Sequence, residues 1–253
     1  MKFITFLLTL MMITLFSTAA TAQKTLRIGT EGAYPPFNYL DSDKKLAGFD
    51  VDIARALCAK MGGECTFIAV PWEGMIDNLV AGDYDVIIAS MAKTEERQKN
   101  IDFTGHYYRS RSAFVARTGH DVIFTDEGLK GMSVGACNNC VQAQYLRDHF
   151  SSGPSLVLTD DTNQLFELLA TGELDIVLSD SLNCLDFLKS ERGADFDFAG
   201  EPLPSDDVSS SAHMAVRKGE LELVRRLEEA LEQLRMDGTY DRINRQYFPF
   251  SIY

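Results

Sequence analysis

The chain has 253 residues, 45% of them hydrophobic and 24% charged, with a formal net charge of −13. The hydrophobic share is that of an ordinary globular protein, and the acid excess argues against nucleic acid or an anionic membrane surface as partner. After the N-terminal stretch no apolar run reaches the roughly 18 residues that a bilayer span needs.

Met1 to Ala22 reads as a secretory signal peptide: Lys2, an apolar run from Phe3 to Phe16, then the A-x-A pattern Ala20-Thr21-Ala22. The mature chain is expected to begin at Gln23, and no cysteine follows the cleavage point to take a lipid anchor. What remains is long enough for one large domain or two lobes of about 100 residues each.

Leu26 to Gly29 reads as a strand. The run Glu31-Gly32-Ala33-Tyr34-Pro35-Pro36 reads as a loop at its carboxyl end, because Gly and paired Pro do not sit inside regular elements. Helical spacing over Val51 to Met61, a strand over Cys65 to Val70, a helix over Met75 to Ala81 and a strand over Tyr84 to Ala89 continue the pattern. The rhythm returns with strands at Met132 to Ala136, Ser155 to Leu158 and Asp175 to Leu178, and helices at Val141 to Phe150 and Gln164 to Ala170. Repeated βα units imply parallel sheets, here in two α/β lobes. Leu221 to Met236 is an amphipathic helix, and Asp237-Gly238-Thr239-Tyr240 should stop it before a last helix that runs through Tyr247. No internal repeat or low-complexity linker separates the halves.

Five cysteines in an exported chain imply at least one disulfide and one leftover thiol. Cys58 and Cys65 flank a tight helix-to-strand link that could join them. Cys137-Asn138-Asn139-Cys140 has redox-motif spacing without the context of a redox or zinc site, so a local disulfide, or one that involves Cys184, is expected. His106, His120, His149 and His213 are scattered without ligand spacing, and no Gly-x-Ser-x-Gly elbow exists, so neither a metal centre nor a hydrolase is indicated.

Two motifs lie far apart: Gly48-Phe49-Asp50-Val51-Asp52-Ile53-Ala54-Arg55-Ala56-Leu57, and Ala89-Ser90-Met91-Ala92-Lys93-Thr94-Glu95-Glu96-Arg97. Together they resemble the polar amino-acid branch of the extracellular solute-binding proteins (family 3), the capture components of ABC importers, with motifs nearest the lysine/arginine/ornithine and histidine binders. The resemblance runs from about Leu26 to Phe248. It implies a two-lobed type II periplasmic binding protein fold with a two-strand hinge, crossed near Tyr108 to Ala113 and Val208 to Met214. Lobe 1 would comprise 23–110 plus 210–253, and lobe 2 would comprise 111–209. It also implies a Cys58–Cys65 disulfide, a periplasmic location, a membrane permease as partner, action as a monomer, and no cofactor.

An α-amino acid needs a cation with paired donors for its carboxylate and an anion for its ammonium. Arg97 can grip a carboxylate with two parallel bonds, and in the resembling proteins the matching arginine does so with help from the residue at Ser90. The matching aspartate, Asp180, takes the ammonium there; by itself it reads as a helix N-cap. Tyr34 and Trp72 match two apolar or aromatic walls, and Glu31 matches the acid that meets a basic side chain, so a cationic amino acid is expected. Ala89, Ala92, Cys140 and Val141 complete the lining. Two departures stand out: Ala92 where the family usually has a polar or acidic residue, and Asn139-Cys140-Val141 in place of Gly-Thr-Thr or Gly-Ser-Thr. The threonine hydroxyl is thereby missing, although a helix N-terminus there could offer backbone N–H groups.

A rival from another class is an enzyme. Gly29-Thr30-Glu31-Gly32-Ala33-Tyr34 also resembles the opening of periplasmic cyclohexadienyl (arogenate/prephenate) dehydratases. Glu31 would be the acid, yet no second candidate stands beside Asp180. A sensory accessory that presents its ligand to a receptor would use the same pocket.

Overall fold

The computed structural model describes residues 25–150 and 152–253. The expected leader, Met1 to Ala22, lies outside them. The first half runs β1 (Leu26–Thr30), β2 (Ala33–Tyr34), β3 (Asn38–Leu40), β4 (Leu46–Ala47), α1 (Phe49–Lys60), β5 (Cys65–Ala69), α2 (Met75–Ala81), β6 (Val86–Met91), α3 (Glu95–Gln98) and β7 (Ile101–Arg109). There follow β8 (Ser112–Arg117), β9 (Ser133–Cys137), α4 (Val141–His149), β10 (Ser155–Thr159), α5 (Thr162–Thr171), β11 (Ile176–Asp180), α6 (Ser181–Leu188) and β12 (Phe196–Ala199). The chain closes with β13 (Ser211–Arg217), α7 (Leu221–Met236) and α8 (Thr239–Tyr247).

Two five-stranded sheets result, in the orders β5-β1-β6-β13-β7 and β10-β9-β11-β8-β12. In each, four strands run one way and a single strand, β13 in the first and β8 in the second, runs antiparallel between two of them. The chain passes from the first sheet to the second between Arg109 and Ser112 and returns between Ala199 and Ser211. β13 therefore completes a sheet begun almost two hundred residues earlier in the sequence. An ion-pair knot marks that return: buried Asp85, just before β6, meets Arg27 of β1 at 2.8 Å and Arg217 of β13 at 3.2 Å.

Layering follows from the apolar stripes. The first sheet packs on one face against α1, α7 and α8, where Ile28, Phe49, Ile53, Leu57, Leu227, Leu231, Leu234 and Ile243 share one core. The spacing of Leu227, Ala230, Leu231 and Leu234 is the helical i, i+3, i+4, i+7 pattern, and burying each leucine contributes about 1.5–3 kcal/mol. The opposite face packs Met75 and Leu79 of α2 against Tyr84, Ile87 and Ala89. In the second sheet α4 covers one face through Ala143 and Leu146, while Leu165, Phe166, Leu169 and Phe187 of α5 and α6 cover the other. Two polar ties hold the last helix in place: the Tyr240 hydroxyl donates to the Tyr107 carbonyl of β7 at 2.7 Å and the Tyr247 hydroxyl to Asp52 of α1 at 2.6 Å.

Two expectations need correction. Part of the segment read as a loop, Ala33–Tyr34, is a strand that pairs with Asn38–Leu40; it stops at Tyr34, immediately before the prolines that cannot extend it. Only Asp237 and Gly238 interrupt the C-terminal helices, because Thr239 and Tyr240 already lie in α8. Cys58 pairs with Cys65, and Cys137 with Cys140, at Cα separations of 5.8 and 5.6 Å that suit a bridge. Cys184 is free and buried.

Candidate functional site

The Gly48-Phe49-Asp50 run supports one wall of the cleft from behind. Gly48 has φ 117°, and a Cβ there would lie 2.3 Å from the Phe37 carbonyl oxygen, so only glycine fits. The tight approach delivers Asp50 into the core, fully shielded from solvent. Its carboxylate accepts from Asn38 Nδ2 at 2.8 Å, the Ser90 hydroxyl at 3.0 Å and the Tyr107 hydroxyl at 2.6 Å. Burial pushes Asp50 up to about 6, and those three donors restrain the rise. Ser90 sits at φ 55°, a left-handed conformation uncommon for a residue with a side chain, held by its N–H to the Tyr107 hydroxyl at 3.0 Å. Asp50 and Tyr107 thus hold a strained serine at the end of β6, on the cleft.

Arg97 follows from α3. Thr94 caps that helix by accepting from the Arg97 N–H, and the guanidinium turns back so that Nη1 donates to the Ala92 carbonyl at 2.9 Å. Nη2 crosses to the second lobe and donates to the Asn139 carbonyl at 3.1 Å, while the guanidinium carbon lies 5.2 Å over the Trp72 ring. Among the described residues no carboxylate pairs with it, and burial lowers it to about 10. It is a shielded cation supported by carbonyls and an indole face.

The second lobe supplies anions. Asp180, at the end of β11, caps α6: its Oδ1 accepts from the Leu182 and Asn183 N–H groups and from the Ser110 hydroxyl at 2.8 Å. Among the described residues Oδ2 has no protein donor. Burial pushes Asp180 up to about 6 against those bonds. From the first lobe, Glu31 at the end of β1 is pushed up to about 7, by burial first and then by the charge of Asp161. Cys140 occupies the N-cap of α4 without capping it, so that helix leaves its first-turn N–H groups unsatisfied by any side chain beside Val141.

These groups share one cavity of about 50 Å³. Glu31, Tyr34, Trp72, Ala89, Ser90, Ala92 and Arg97 line it from the first sheet's lobe, and Cys140, Val141 and Asp180 from the other. All ten residues expected from the sequence are therefore brought together. Reading the sequence missed Tyr108, Gln142, Asp161, Thr162 and Ser209, which also line the cavity. Asp161 carried a usable signal, since it lies two residues past the end of a parallel strand and opens a helix, where α/β folds place ligand contacts. Ser209 carried none. The lobes are drawn together across the cleft: Thr162 and Asn163 donate to the Ala33 carbonyl at 3.1 and 3.2 Å, and the Trp72 indole N–H reaches the Asn139 carbonyl at 3.4 Å.

An enclosed cleft between two α/β lobes, with an unpaired cation at one place and carboxylates at others, has the chemistry of a trap for a small charged solute. Residues 26–250 match the family described as bacterial extracellular solute-binding proteins, family 3. The chain is 35% identical to the L-arginine-binding protein of Pseudomonas aeruginosa, over 92% of this chain and 91% of that protein. It is 33% identical to the lysine/arginine/ornithine-binding periplasmic protein of Escherichia coli K12, over 94% and 92% respectively. A solved ancestral arginine-binding protein bound to arginine matches with a TM-score of 0.80 at 36% identity, over 88% of this chain and 98% of that one. The chain belongs to the family 3 bacterial extracellular solute-binding proteins, and its fold is the type II periplasmic binding arrangement.

Proposed function

We propose that this protein captures a cationic α-amino acid in the periplasm, after cleavage of its leader, and delivers it as a monomer to the membrane permease of an ABC importer. Lobe 1 is 23–110 with 210–253 and lobe 2 is 111–209. The observation that carries the reading is Arg97, a shielded guanidinium with no anionic partner among the described residues, in one cavity with Asp180 and Glu31. Arg97 with Ser90 takes the ligand carboxylate, Asp180 Oδ2 the ammonium, and Glu31 the basic side chain between Tyr34 and Trp72. Each charge of a dibasic amino acid then meets its complement. The relatives' names support the same class: one binds L-arginine, the other lysine, arginine and ornithine.

A thermal-shift screen tests this, because a ligand bound only by the native state raises the melting temperature by RT ln(1 + [L]/Kd). Arginine, lysine, ornithine or histidine should raise it by several degrees while glutamate does not. A flat response to all of them overturns the reading. One observation favours a second reading: a carboxyl held at about 7 in a closed cleft, as Glu31 is, suits a general acid, as in a cyclohexadienyl dehydratase. Turnover of prephenate or arogenate by the purified protein would transfer the conclusion to that enzyme.

A further inference from the structure

Glu31 and Asp161 reach the cavity from opposite lobes, Glu31 from the end of β1 and Asp161 from the start of α5. Asp161 uses one oxygen, Oδ1, to cap α5 by accepting the Gln164 N–H at 2.9 Å. Among the described residues its second oxygen has no protein donor, and the Glu31 carboxylate has none either. No lysine or arginine among the cavity's lining residues lies with them except Arg97, whose guanidinium is engaged at the Ala92 and Asn139 carbonyls. The two acids are held near each other by the bonds that close the cleft. Thr162 and Asn163, the residues after Asp161, both donate to the carbonyl of Ala33, two residues after Glu31.

Closure therefore sets two carboxylates against one cavity with no protein cation between them. Like charges brought together in a shielded site repel, so the closed arrangement disfavours itself unless the guest carries positive charge there. A guanidinium answers this requirement better than a single ammonium. It is planar, permanently charged, and offers five donors along separate edges, so it can face an acid from each lobe at once.

We propose that Asp161 is a specificity-determining residue of the cleft, which with Glu31 forms a two-lobe carboxylate clamp on the distal cation of the ligand, a guanidinium by preference. This rests on the cationic amino-acid reading and deepens it. The clamp selects charge at the far end of the ligand and makes that charge a condition for tight closure. Removing Asp161's charge should cost selectivity for a cationic side chain over a neutral one of the same shape.

The test compares arginine with citrulline, its uncharged near-isostere, by calorimetric titration of the wild type and of Asp161→Asn. Asparagine is as good an N-cap as aspartate, so α5 keeps its start, and Asp161→Ser, also a capping residue, serves if the first variant does not fold. The arginine-to-citrulline affinity ratio should fall at least tenfold in the variant. An unchanged ratio, whether both affinities hold or both fall together, leaves Asp161 a helix cap only and overturns the clamp while the functional reading stands. If the wild type binds no cationic amino acid, the functional reading fails and the clamp with it.

Discussion

Glu31 is the residue whose charge is most exposed to test, because burial and then Asp161 hold its carboxyl up at about 7 from an ordinary 4.5. A folded-state value raised above the unfolded one means the folded protein binds the proton more tightly. Its favourable contribution is full below about 4.5 and is lost as pH rises through about 7. Glu31→Gln removes the titration, so the ligand-free variant should melt with the wild type near pH 4 and above it at pH 8, by at most about 3 kcal/mol. An open cleft rehydrates the carboxyl and lowers that ceiling. Melting curves of both proteins from pH 4 to 8 check the sign; parallel curves would refute it. Binding has the opposite dependence, because a cationic ligand favours ionised Glu31. Arginine affinity should decline as pH falls from 8 to 5 in the wild type and decline less steeply in the variant, where Asp180, held at about 6, still titrates. At the other end of the cavity Arg97→Ala takes away the ligand carboxylate's partner and Asp180→Asn keeps the α6 cap while it removes the charge. Losing one member of a buried charge pair typically costs 2–5 kcal/mol, so roughly 30-fold or more in affinity. Titrations of both variants that match the wild type would refute the placement of the site.

The loop between β9 and α4 shows how a local covalent constraint serves a distant contact. The Cys137–Cys140 bridge encloses Asn139 in the left-handed region at φ 58°, a conformation asparagine tolerates better than most residues. The Asn139 carbonyl is what Arg97 and Trp72 reach from the other lobe. A Cys137→Ser, Cys140→Ser double variant should therefore lower ligand affinity about fivefold, the worth of roughly one cross-lobe hydrogen bond. Cys58→Ser, Cys65→Ser should lose stability on the order of 2 kcal/mol with affinity intact, because that bridge ties α1 to β5 away from the cavity. Calorimetry beside melting curves separates the two, and equal affinity losses would contradict the assignment. The same loop marks where the sequence stopped being legible. Long βα units were readable, since helix and strand periods differ and glycines punctuate them. The β2–β3–β4 ribbon was not, because two- and three-residue strands carry no period. The insertion of β13 between β6 and β7 was not readable locally either: it pairs Ala215 with both Ile87 and Phe103, and only resemblance to a known family pointed there. Arg97 and Asp180 were legible because their neighbours repeat a family motif, whereas Asp161 carried only the general signal of an aspartate between a strand and a helix.

At the scale of the whole molecule, two sheets meet across a cleft and are joined by two crossings, at 110–111 and 200–210, so their relative position is set by a few contacts. Each lobe has its own cores, apart from Leu182 of α6, which packs into the first lobe's core; the motion available is a hinge. Beside the apolar contact of Leu182, the closing contacts are polar: Thr162 and Asn163 on the Ala33 carbonyl, Asn183 on the Pro35 carbonyl, and Arg97 and Trp72 on the Asn139 carbonyl. Bonds of this kind, exposed or part-buried, contribute about 0.5–1.5 kcal/mol each, and the repulsion of Glu31 and Asp161 works against them. A cationic ligand offsets that repulsion, and whatever a cross-lobe bond contributes to closure appears as affinity. Asn163 isolates this effect, because its amide reaches Ala33 from an exposed position and does not line the cavity. Asn163→Ala should thus weaken arginine binding roughly two- to fivefold, mainly through faster release, while the melting temperature of the ligand-free protein stays within about a degree of the wild type. Small-angle scattering should show both proteins compacting on saturation with arginine. An unchanged affinity and release rate would mean that the bond to Ala33 forms equally with and without ligand, and closure would then not be what the ligand drives.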